Sequence, residues 1–276
     1  MVTSFPRMGY QHLEIERDGG VAVLWLNRPE KLNALSEDMW DDIPVAIMDL
    51  DADRSVRVII VAGRGRAFTV GIDIGMLASL QPTADSSAAA SKQIYHEVKR
   101  LQHTVSCLAE SLKPVIAAVH GYCLGAGVNL ISACDIRLAA ADAVFSIRET
   151  KMGLVADIGA LQRLPHIVGT AVTTEMALTG ADYDAPWALE RGLVSAVSED
   201  HDGLIERARG IAAEIAANSP LVIEGVKRVI ANGSSRSIEE GLDYVARWNS
   251  AFLMSNDLVE ALSAFTEKRD PDFTGT

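Results

Sequence analysis

Three short apolar runs constrain the fold of this chain more than any other feature. They occupy residues 20–27, 56–63 and 114–120 and are rich in Val, Ile and Ala. A strand that is apolar at nearly every position is typical of a parallel sheet with helices on both faces. Between the first two runs, residues 36–50 begin with Ser-Glu-Asp and carry apolar residues at helical spacing, which predicts a capped helix. The chain is therefore predicted to have an α/β fold.

The character of the sequence changes near residue 200. Two further strands, predicted at 135–140 and 143–147, complete an α/β core that we assign to residues 1–200. The remainder, 201–276, is predicted to be a C-terminal helical region that packs on a neighbouring copy or covers an active site. Its helices are predicted at 201–217, 220–231 and 237–267. Earlier in the chain, 81–91 is low in complexity and is predicted to be a mobile loop.

Composition narrows the possible partners and compartments. The chain has 37 acidic and 25 basic residues, which gives a net charge of −12 at pH 7. Binding to phosphate backbones needs clustered Lys and Arg, so no nucleic-acid partner is expected. The 3 cysteines lack the short spacing of a zinc or redox motif and are expected to be free thiols. With neither an apolar leader nor a stretch long enough to span a bilayer, the protein is expected to be cytoplasmic, without membrane contact.

Two glycine-containing segments follow the second and third apolar runs. They lie at 66–74 and 121–127. Loops of this kind can turn backbone N–H groups into a cleft, where they stabilise a developing oxyanion. The alternative is a tight turn that needs glycine for its backbone angles. Neither segment has the spacing of a dinucleotide-binding or phosphate-binding loop, so a nucleotide cofactor is not indicated.

Two acidic residues stand close together in a mostly apolar stretch. Asp157 lies among Leu, Val, Ala and Ile, where a carboxylate is costly unless it is paired or used. Glu149 precedes it by one short segment, so the two could act on one ligand as acid and base. The alternatives are a surface glutamate and an aspartate that caps a helix beginning near Gly159.

Four segments in fixed order resemble the enoyl-CoA hydratase/isomerase (crotonase) family. They are LNRPEKLNA at 26–34, AFTVGIDI at 67–74, PVIAAVHGYCLGAGVNLISACD at 114–135 and SAFTEKR at 263–269. The resemblance runs from about residue 12 to the end of the chain. It implies a crotonase-like ββα superhelix core with a C-terminal helical trimerisation region. Within the family, segments 153–165 and 244–249 most resemble the Δ3,5-Δ2,4-dienoyl-CoA isomerases.

The resemblance implies roles for the two acids and for two backbone amides. Glu149 and Asp157 match the proton-transfer pair of the dienoyl-CoA isomerases, with Asp157 as base at C2 and Glu149 as acid toward C6. The N–H groups of Ile72 and Ala126 match the oxyanion hole. Asn129, also counted as catalytic, stands where hydratases have a glutamate and dienoyl isomerases usually have an aspartate. An amide cannot exchange a proton at neutral pH, so hydration by two glutamates is disfavoured.

The resemblance also implies a set of substrate-binding residues. Arg28 and Lys31 are expected to contact CoA, and Phe265 and Lys268 come from the tail that packs across a subunit boundary in relatives. The other expected contacts are Ala67, Val70, Gly71, Asp73, Ile74, Tyr122, Leu124, Gly125 and Leu154. Coenzyme A enters as the substrate thioester, and no metal or other cofactor is expected. The implied assembly is a homotrimer or a dimer of trimers.

The predicted activity is therefore conversion of 3,5-dienoyl-CoA to 2,4-dienoyl-CoA in fatty acid β-oxidation, through an oxyanion-stabilised dienolate. One alternative is another reaction of the family, hydration of 2-enoyl-CoA or a Δ3-Δ2 double-bond shift. A different alternative is a non-catalytic acyl-CoA-binding protein. An unused carboxylate at Asp157 would be costly, which argues against the second alternative.

Overall fold

The computed structural model describes residues 9–79, 86–234 and 236–276. The strands are β1 Leu13–Asp18, β2 Val21–Leu26, β3 Val58–Gly63, β4 Val115–Val119, β5 Tyr122–Leu124, β6 Ile136–Ala140, β7 Val144–Ser146, β8 Tyr183–Asp184 and β9 Ala196–Ser198. The helices are α1 Glu37–Ala52, α2 Ile74–Ser79, α3 Ser87–Glu110, α4 Ala126–Ser132, α5 Ala160–Ile167, α6 Gly169–Thr179, α7 Ala185–Glu190, α8 His201–Ala216, α9 Pro220–Gly233, α10 Ile238–Phe252 and α11 Asn256–Glu267. None of the described helices is long and apolar enough to cross a membrane.

The main sheet has six strands in the order β1-β2-β3-β4-β6-β9. The β1 and β2 strands pair antiparallel, and every other pair in the sheet is parallel. The strands β2, β3 and β4 are buried at every position. This confirms the prediction that the three apolar runs form a mostly parallel sheet covered on both faces.

Helices cover both faces of this sheet. The face that includes Leu24 and Ile59 packs against α1 and α3, through side chains such as Trp40 and Leu108. The opposite face packs against α8, which buries Leu204, Ala208 and Ala212 on β2, β3, β4 and β6. The first helix of the predicted C-terminal region thus contributes to the core. The division of the chain at residue 200 stays a prediction.

A small second sheet, in the order β5-β7-β8, places the second glycine-containing segment. Strand β5 follows β4 after Gly121 and runs parallel to β7. A bridge between Thr69 and Cys123 also joins β5 to the segment after β3. The carboxyl ends of β3 and β4 therefore lead into two loops that lie side by side.

Two predictions about local structure were wrong. Residues 81–85 of the predicted loop lie outside the described residues, but 87–91 form the first turns of α3, and the side chain of Ser86 caps that helix at Ala89 N (3.2 Å). The single helix predicted at 237–267 is two helices, because the chain breaks at 253–255 and Ser255 caps α11. In both places a serine cap sets the boundary.

Candidate active site

A cavity of about 470 Å³ lies where the two loops meet α3 and the segment 148–158. Its walls are mostly apolar. The predicted site residues that line it are Val70, Gly71, Ile72, Ile74, Leu124, Gly125, Ala126, Glu149, Leu154 and Asp157. The lining residues that were not predicted are Trp40, Ile94, Glu97, Val98, Leu101, Arg148, Met152 and Ile158. Most of this second group comes from α1, which the sequence predicted as a helix, and from α3, which it did not.

The two loops touch at Gly71. The Thr69 N–H donates to Tyr122 O (2.9 Å) and the Leu124 N–H donates to Thr69 O (3.1 Å), so the loops run in register. Gly71 has φ +96°, and a Cβ there would lie 2.8 Å from Leu124 O and 3.4 Å from Ala126 N. A side chain at this position would force the loops apart. Glycine is therefore required by the close approach as well as by the backbone angle.

The backbone of Ile72 presents its N–H group to the cavity. Leu35 N donates to Gly71 O (2.8 Å) and Asp73 N donates to Leu35 O (3.0 Å), which is the pattern of a parallel bridge centred on Ile72. In such a bridge the N–H of the central residue points away from the partner strand. Within the described ranges, the Ile72 N–H donates to no other group.

A second free N–H belongs to Ala126, the first residue of α4. The first amides of a helix have no carbonyl one turn earlier to accept from them. Among the described residues, Ala126 N has no hydrogen-bond acceptor. Ile72 and Ala126 both line the cavity, so its wall carries two unpaired donors beside the contact at Gly71. Such a pair can stabilise negative charge on a ligand oxygen.

Glu149 lies in a short 3-10 turn, Arg148–Met152, directly after β7. Its Oε1 accepts a hydrogen bond from Asn129 Nδ2 (2.9 Å). Its Oε2 is buried and has no partner among the described residues. Burial raises the pKa of the Glu149 carboxyl, and the nearby charge of Asp157 raises that pKa further, although the hydrogen bond from Asn129 opposes the shift. The site thus favours a neutral carboxyl at Glu149.

Asp157 lies at the mouth of the same cavity, with its side chain partly in contact with solvent. Gln102 Nε2, on α3, donates to its backbone oxygen (2.7 Å) and holds this segment against the helix. Partial burial raises the pKa of the Asp157 carboxyl. Because the charge of Asp157 affects the pKa of Glu149, the two acids predicted to face one ligand are brought together on one cavity.

Asn129 is fully buried and lies behind Glu149, outside the cavity wall. Its Oδ1 accepts from Ala160 N (2.6 Å), the first amide of α5. The start of α5 is therefore capped by Asn129, and its flanking residue Gly159 supplies no side-chain cap. The alternative that Asp157 caps this helix is not supported, which leaves its carboxylate available to a ligand.

Other predicted residues lie near the cavity without lining it. Arg28 Nη1 and Asp73 Oδ2 form an ion pair of 2.6 Å, which lowers the pKa of Asp73. Lys31 is exposed, and Tyr122 keeps 45% of its surface exposed. Ala67 is fully buried, and its carbonyl oxygen accepts from Asn33 Nδ2 (2.8 Å). These contacts with substrate stay predictions.

Phe265 and Lys268 lie on and just after α11, apart from the cavity of this chain. Phe265 is 85% exposed. The expectation that they contact substrate requires a second copy of the chain, and it stays a prediction. Across the described residues, no cluster of three or more His, Cys, Asp and Glu side chains could hold a metal ion.

One residue important for the site was not singled out by the sequence argument. Asn33 is fully buried with φ +55°, and its Nδ2 donates to Arg64 O (2.9 Å) and Ala67 O (2.8 Å). Its own carbonyl accepts from Thr69 Oγ1 (2.6 Å), and that hydroxyl accepts from Gly71 N (3.1 Å). Asn33 therefore fastens the loop that presents Ile72. The only sign of this role in the sequence was that Asn33 lies within the motif at 26–34.

Comparison with known proteins agrees with this geometry. The family model described as enoyl-CoA hydratase/isomerase matches residues 16–276. The chain belongs to the enoyl-CoA hydratase/isomerase family. The crystal structure of the enoyl-CoA hydratase from Bacillus anthracis is similar, with a TM-score of 0.88 at 30% identity over 96% of this chain and 100% of that one. The crotonase-like α/β fold is thereby confirmed.

Curated relatives of higher identity carry a more specific name. The peroxisomal Δ(3,5)-Δ(2,4)-dienoyl-CoA isomerase of Arabidopsis thaliana is 44% identical over 96% of this chain and 97% of its own length. The mitochondrial enzyme of the same name from Dictyostelium discoideum is 40% identical, over 96% and 92%. The human mitochondrial enzyme is 40% identical, over 89% and 76%.

These names contradict the expectation of a cytoplasmic protein. The relatives at 40–44% identity are peroxisomal or mitochondrial. The expectation of a cytoplasmic protein was drawn from sequence signals for an apolar leader and for a membrane-spanning stretch. Those features concern secretion and membrane insertion, and they do not separate the cytoplasm from the interior of an organelle.

Proposed function

We propose that this protein is an acyl-CoA isomerase that converts 3,5-dienoyl-CoA to 2,4-dienoyl-CoA in fatty acid β-oxidation. The observation that carries the proposal is the arrangement of Glu149 and Asp157 on one apolar cavity beside the free amides of Ile72 and Ala126. Two acids with different exposure suit a proton transfer between two carbons of one ligand. The names of the relatives at 40–44% identity support the same substrate class.

In the proposed reaction, the thioester oxygen accepts hydrogen bonds from Ile72 N and Ala126 N. Asp157 takes a proton from C2, and the electron pair left behind spreads over the diene and onto that oxygen. Glu149 then gives a proton to C6, which moves both double bonds into conjugation with the thioester. An oxyanion donor of this kind typically contributes about 3 kcal/mol, or roughly a hundredfold in rate.

The environment of each acid supports this direction of transfer. Glu149 is the more buried, and its pKa is raised by burial first and also by the charge of Asp157, so its environment favours a carboxyl that carries a proton when substrate arrives. Asp157 is the more exposed of the two acids, so burial opposes its ionised form less than it opposes that of Glu149. After one turnover Asp157 carries the proton taken from C2 and Glu149 lacks one. Because Asp157 is exposed, it can release its proton to solvent, and Glu149 must regain one before the next turnover.

Asn129 argues against hydration as the main reaction. The hydratase mechanism expected from the resemblance needs a second acid at this position, and an amide neither gives nor takes a proton at neutral pH. Hydration of a double bond would then depend on Glu149 alone, because α4 supplies no second acid or base at position 129. In the proposed isomerase reaction both proton transfers are assigned to Glu149 and Asp157, and no proton transfer is assigned to residue 129.

The test is conversion of 3,5-dienoyl-CoA, followed by the rise in absorbance of the conjugated product. Glu149→Gln and Asp157→Asn should each lower kcat by roughly 10²- to 10⁴-fold. Glu206→Gln, the same change at an exposed position on α8, is the control and should retain full activity. Full activity of Asp157→Asn would refute the acid–base assignment. Faster turnover of 2-enoyl-CoA than of the diene, or tight acyl-CoA binding without turnover, would refute the function.

We also propose that the protein assembles as a trimer or a dimer of trimers. An apolar groove of about 520 Å³ runs between α9, α10 and α11, and includes Val226, Trp248 and Phe252. Phe265 is 85% exposed on the same helical region. Exposed apolar surface of this kind is typical of subunit interfaces. Light scattering should give three or six times the mass of the chain, and Phe265→Asp should lower it; a monomeric mass for the unmodified protein would refute the assembly.

A further inference from the structure

Three hydrogen bonds fix the orientation of the Asn129 amide. Ala160 N–H donates to one end of the side chain (2.6 Å), so that end must be the oxygen, Oδ1. The other end contacts Gly125 O (3.1 Å) and Glu149 Oε1 (2.9 Å), both of which are acceptors. An asparagine nitrogen has two N–H donors, and each has one acceptor here. Exchanging the amide oxygen and nitrogen would break all three hydrogen bonds.

This orientation makes the two oxygens of Glu149 unequal. Oε1 accepts the N–H of Asn129, and a carbonyl oxygen is a better acceptor than the hydroxyl oxygen of a neutral carboxyl. Oε2 is buried and has no partner among the described residues. A Cβ added at Gly125, which is part of the cavity wall, would lie 3.6 Å from Oε2 and 3.8 Å from Oε1, so the two oxygens differ in hydrogen bonding and not in their distance from Gly125.

We propose that Asn129 is a positioning residue that keeps the exchangeable proton of Glu149 on Oε2, the oxygen that Asn129 leaves unpaired on a side chain that lines the cavity. This inference rests on the proposed isomerase function for its consequence in catalysis. When the O–H bond at Oε2 breaks, the proton forms the new C–H bond at C6 and Glu149 becomes a carboxylate. Asn129 Nδ2 then donates to that carboxylate through Oε1, without adding a negative charge of its own.

The decisive variant is Asn129→Asp, which has nearly the same shape. Aspartate can still accept from Ala160 N, but it lacks the N–H groups that reach Gly125 O and Glu149 Oε1. Its charge would also lie next to Glu149. The titration of the Glu149 carboxyl should therefore move upward by at least about one pH unit, a tenfold change in proton affinity. The substitution does not alter the other charged side chains on the cavity wall, which are Asp157, Glu97 and Arg148. Glu97 is paired with Arg100 (2.6 Å), and Arg148 is paired with Asp182 (2.7 Å).

The measurement is ¹³C NMR of glutamate carboxyls in the free enzyme, with Glu149→Gln used to assign the signal. Ser132→Ala is the control, because Ser132 Oγ donates only to the backbone oxygen of Asn129 (2.7 Å) on the same helix. It should leave the Glu149 titration unchanged. The alkaline limb of kcat with 3,5-dienoyl-CoA should move in the same direction as the titration in Asn129→Asp, with a smaller change in KM.

A second measurement does not depend on how Asn129→Asp folds. In Glu149→Gln, the glutamine should direct its carbonyl oxygen to Asn129 and its NH₂ group to the cavity, as the proton on Oε2 does in the native acid. Coupling across the hydrogen bond between Asn129 Nδ2 and the Gln carbonyl would be visible by NMR. The reversed amide, or an unchanged Glu149 titration in Asn129→Asp, would overturn the proposal. A shifted titration in an enzyme that does not isomerise dienes would refute the proposed function but not the role of Asn129.

Discussion

The contact between the two loops at Gly71 can be tested by adding a single methyl group. In Gly71→Ala, the new Cβ would lie 2.8 Å from Leu124 O, and ordinary van der Waals contact begins only at 3.4 Å. The backbone angle, φ +96°, is also one that L residues rarely adopt. The loops must therefore separate. Because Ile72 follows Gly71 and Ala126 lies beside it, the two free amides would move relative to each other and could no longer bind one oxygen as proposed.

The two effects of this substitution have different magnitudes and different observables. The unfavourable backbone angle should lower the free energy of unfolding by about 1–3 kcal/mol. A displaced oxyanion donor should raise the activation free energy by about 2–3 kcal/mol, which lowers kcat by roughly 30- to 150-fold. Because the donor acts on charge that develops in the transition state, kcat and kcat/KM should fall together.

Gly169→Ala is the matched control. Gly169 has φ +81°, but nothing lies within 4 Å of an added Cβ, and the residue is not part of the cavity. Urea denaturation should show destabilisation in both variants, at least as large in Gly71→Ala because of the added clash, whereas the dienoyl-CoA absorbance assay should show a loss of kcat only in Gly71→Ala. Equal kcat in the two folded variants, within about twofold, would refute the argument that loop contact aligns the oxyanion donors.

Three further changes test other parts of the structure. Glu149→Gln should raise the melting temperature at pH 7, because burial and the charge of Asp157 raise the pKa of Glu149 and make its ionised form unfavourable. The difference in melting temperature should vanish below about pH 4, where the carboxyl is neutral in both the folded and the unfolded state. A lower melting temperature of the variant at pH 7 would contradict this. Asp257→Ala should lower the free energy of unfolding by about 1.5–3 kcal/mol in urea, because this buried carboxylate accepts from Ser219 Oγ (2.5 Å) and from backbone amides of the C-terminal tail. Burial would raise the pKa of Asp257, but those hydrogen bonds outweigh it and lower that pKa. The contribution of Asp257 to the free energy of unfolding is therefore present above the ordinary aspartate pKa and is lost as the pH falls through the lowered value. A difference in urea midpoint between the two proteins that does not change with pH would contradict this. Asn33→Ala should lower the free energy of unfolding by about 2–3 kcal/mol and should also lower kcat, because the carbonyls of Arg64 and Ala67 lose their hydrogen-bond donor. A loss of stability with unchanged kcat would show that the loop keeps its position without Asn33.

The parts of the fold that the sequence predicts are those in which burial repeats along the chain. Strands β2, β3 and β4 are apolar at every position because both faces of the sheet are covered, and that condition is visible in the sequence itself. Helix α3 shows the opposite case. Its first turns are exposed and rich in Ala and Ser, and its apolar stripe of buried residues begins only at Leu101. The composition of these first turns is therefore like that of a loop, and a loop was predicted there from the sequence.

The site divides in the same way. The positions of Glu149, Asp157 and both glycine-containing loops could be taken from motifs and their order. Which polar atoms lack partners could not, because that depends on contacts between distant segments. The cap on α5 illustrates this: the donor is Ala160 N and the acceptor is Asn129 Oδ1, on a different helix. The sequence offered a nearby aspartate, Asp157, only as an alternative cap, since local capping is the only kind that a single segment can reveal.

Three polar groups that the proposed reaction needs are unpaired within the described part of the fold. Ile72 N, Ala126 N and Glu149 Oε2 have no partners among the described residues. Each would be more stable if it were paired. The backbone around them is held by contacts that do not use these atoms, such as the bridge at Leu35 and the amide of Asn129. The scaffold therefore fixes unpaired groups in place before a ligand arrives, and a thioester oxygen and a protonatable carbon would supply the missing partners.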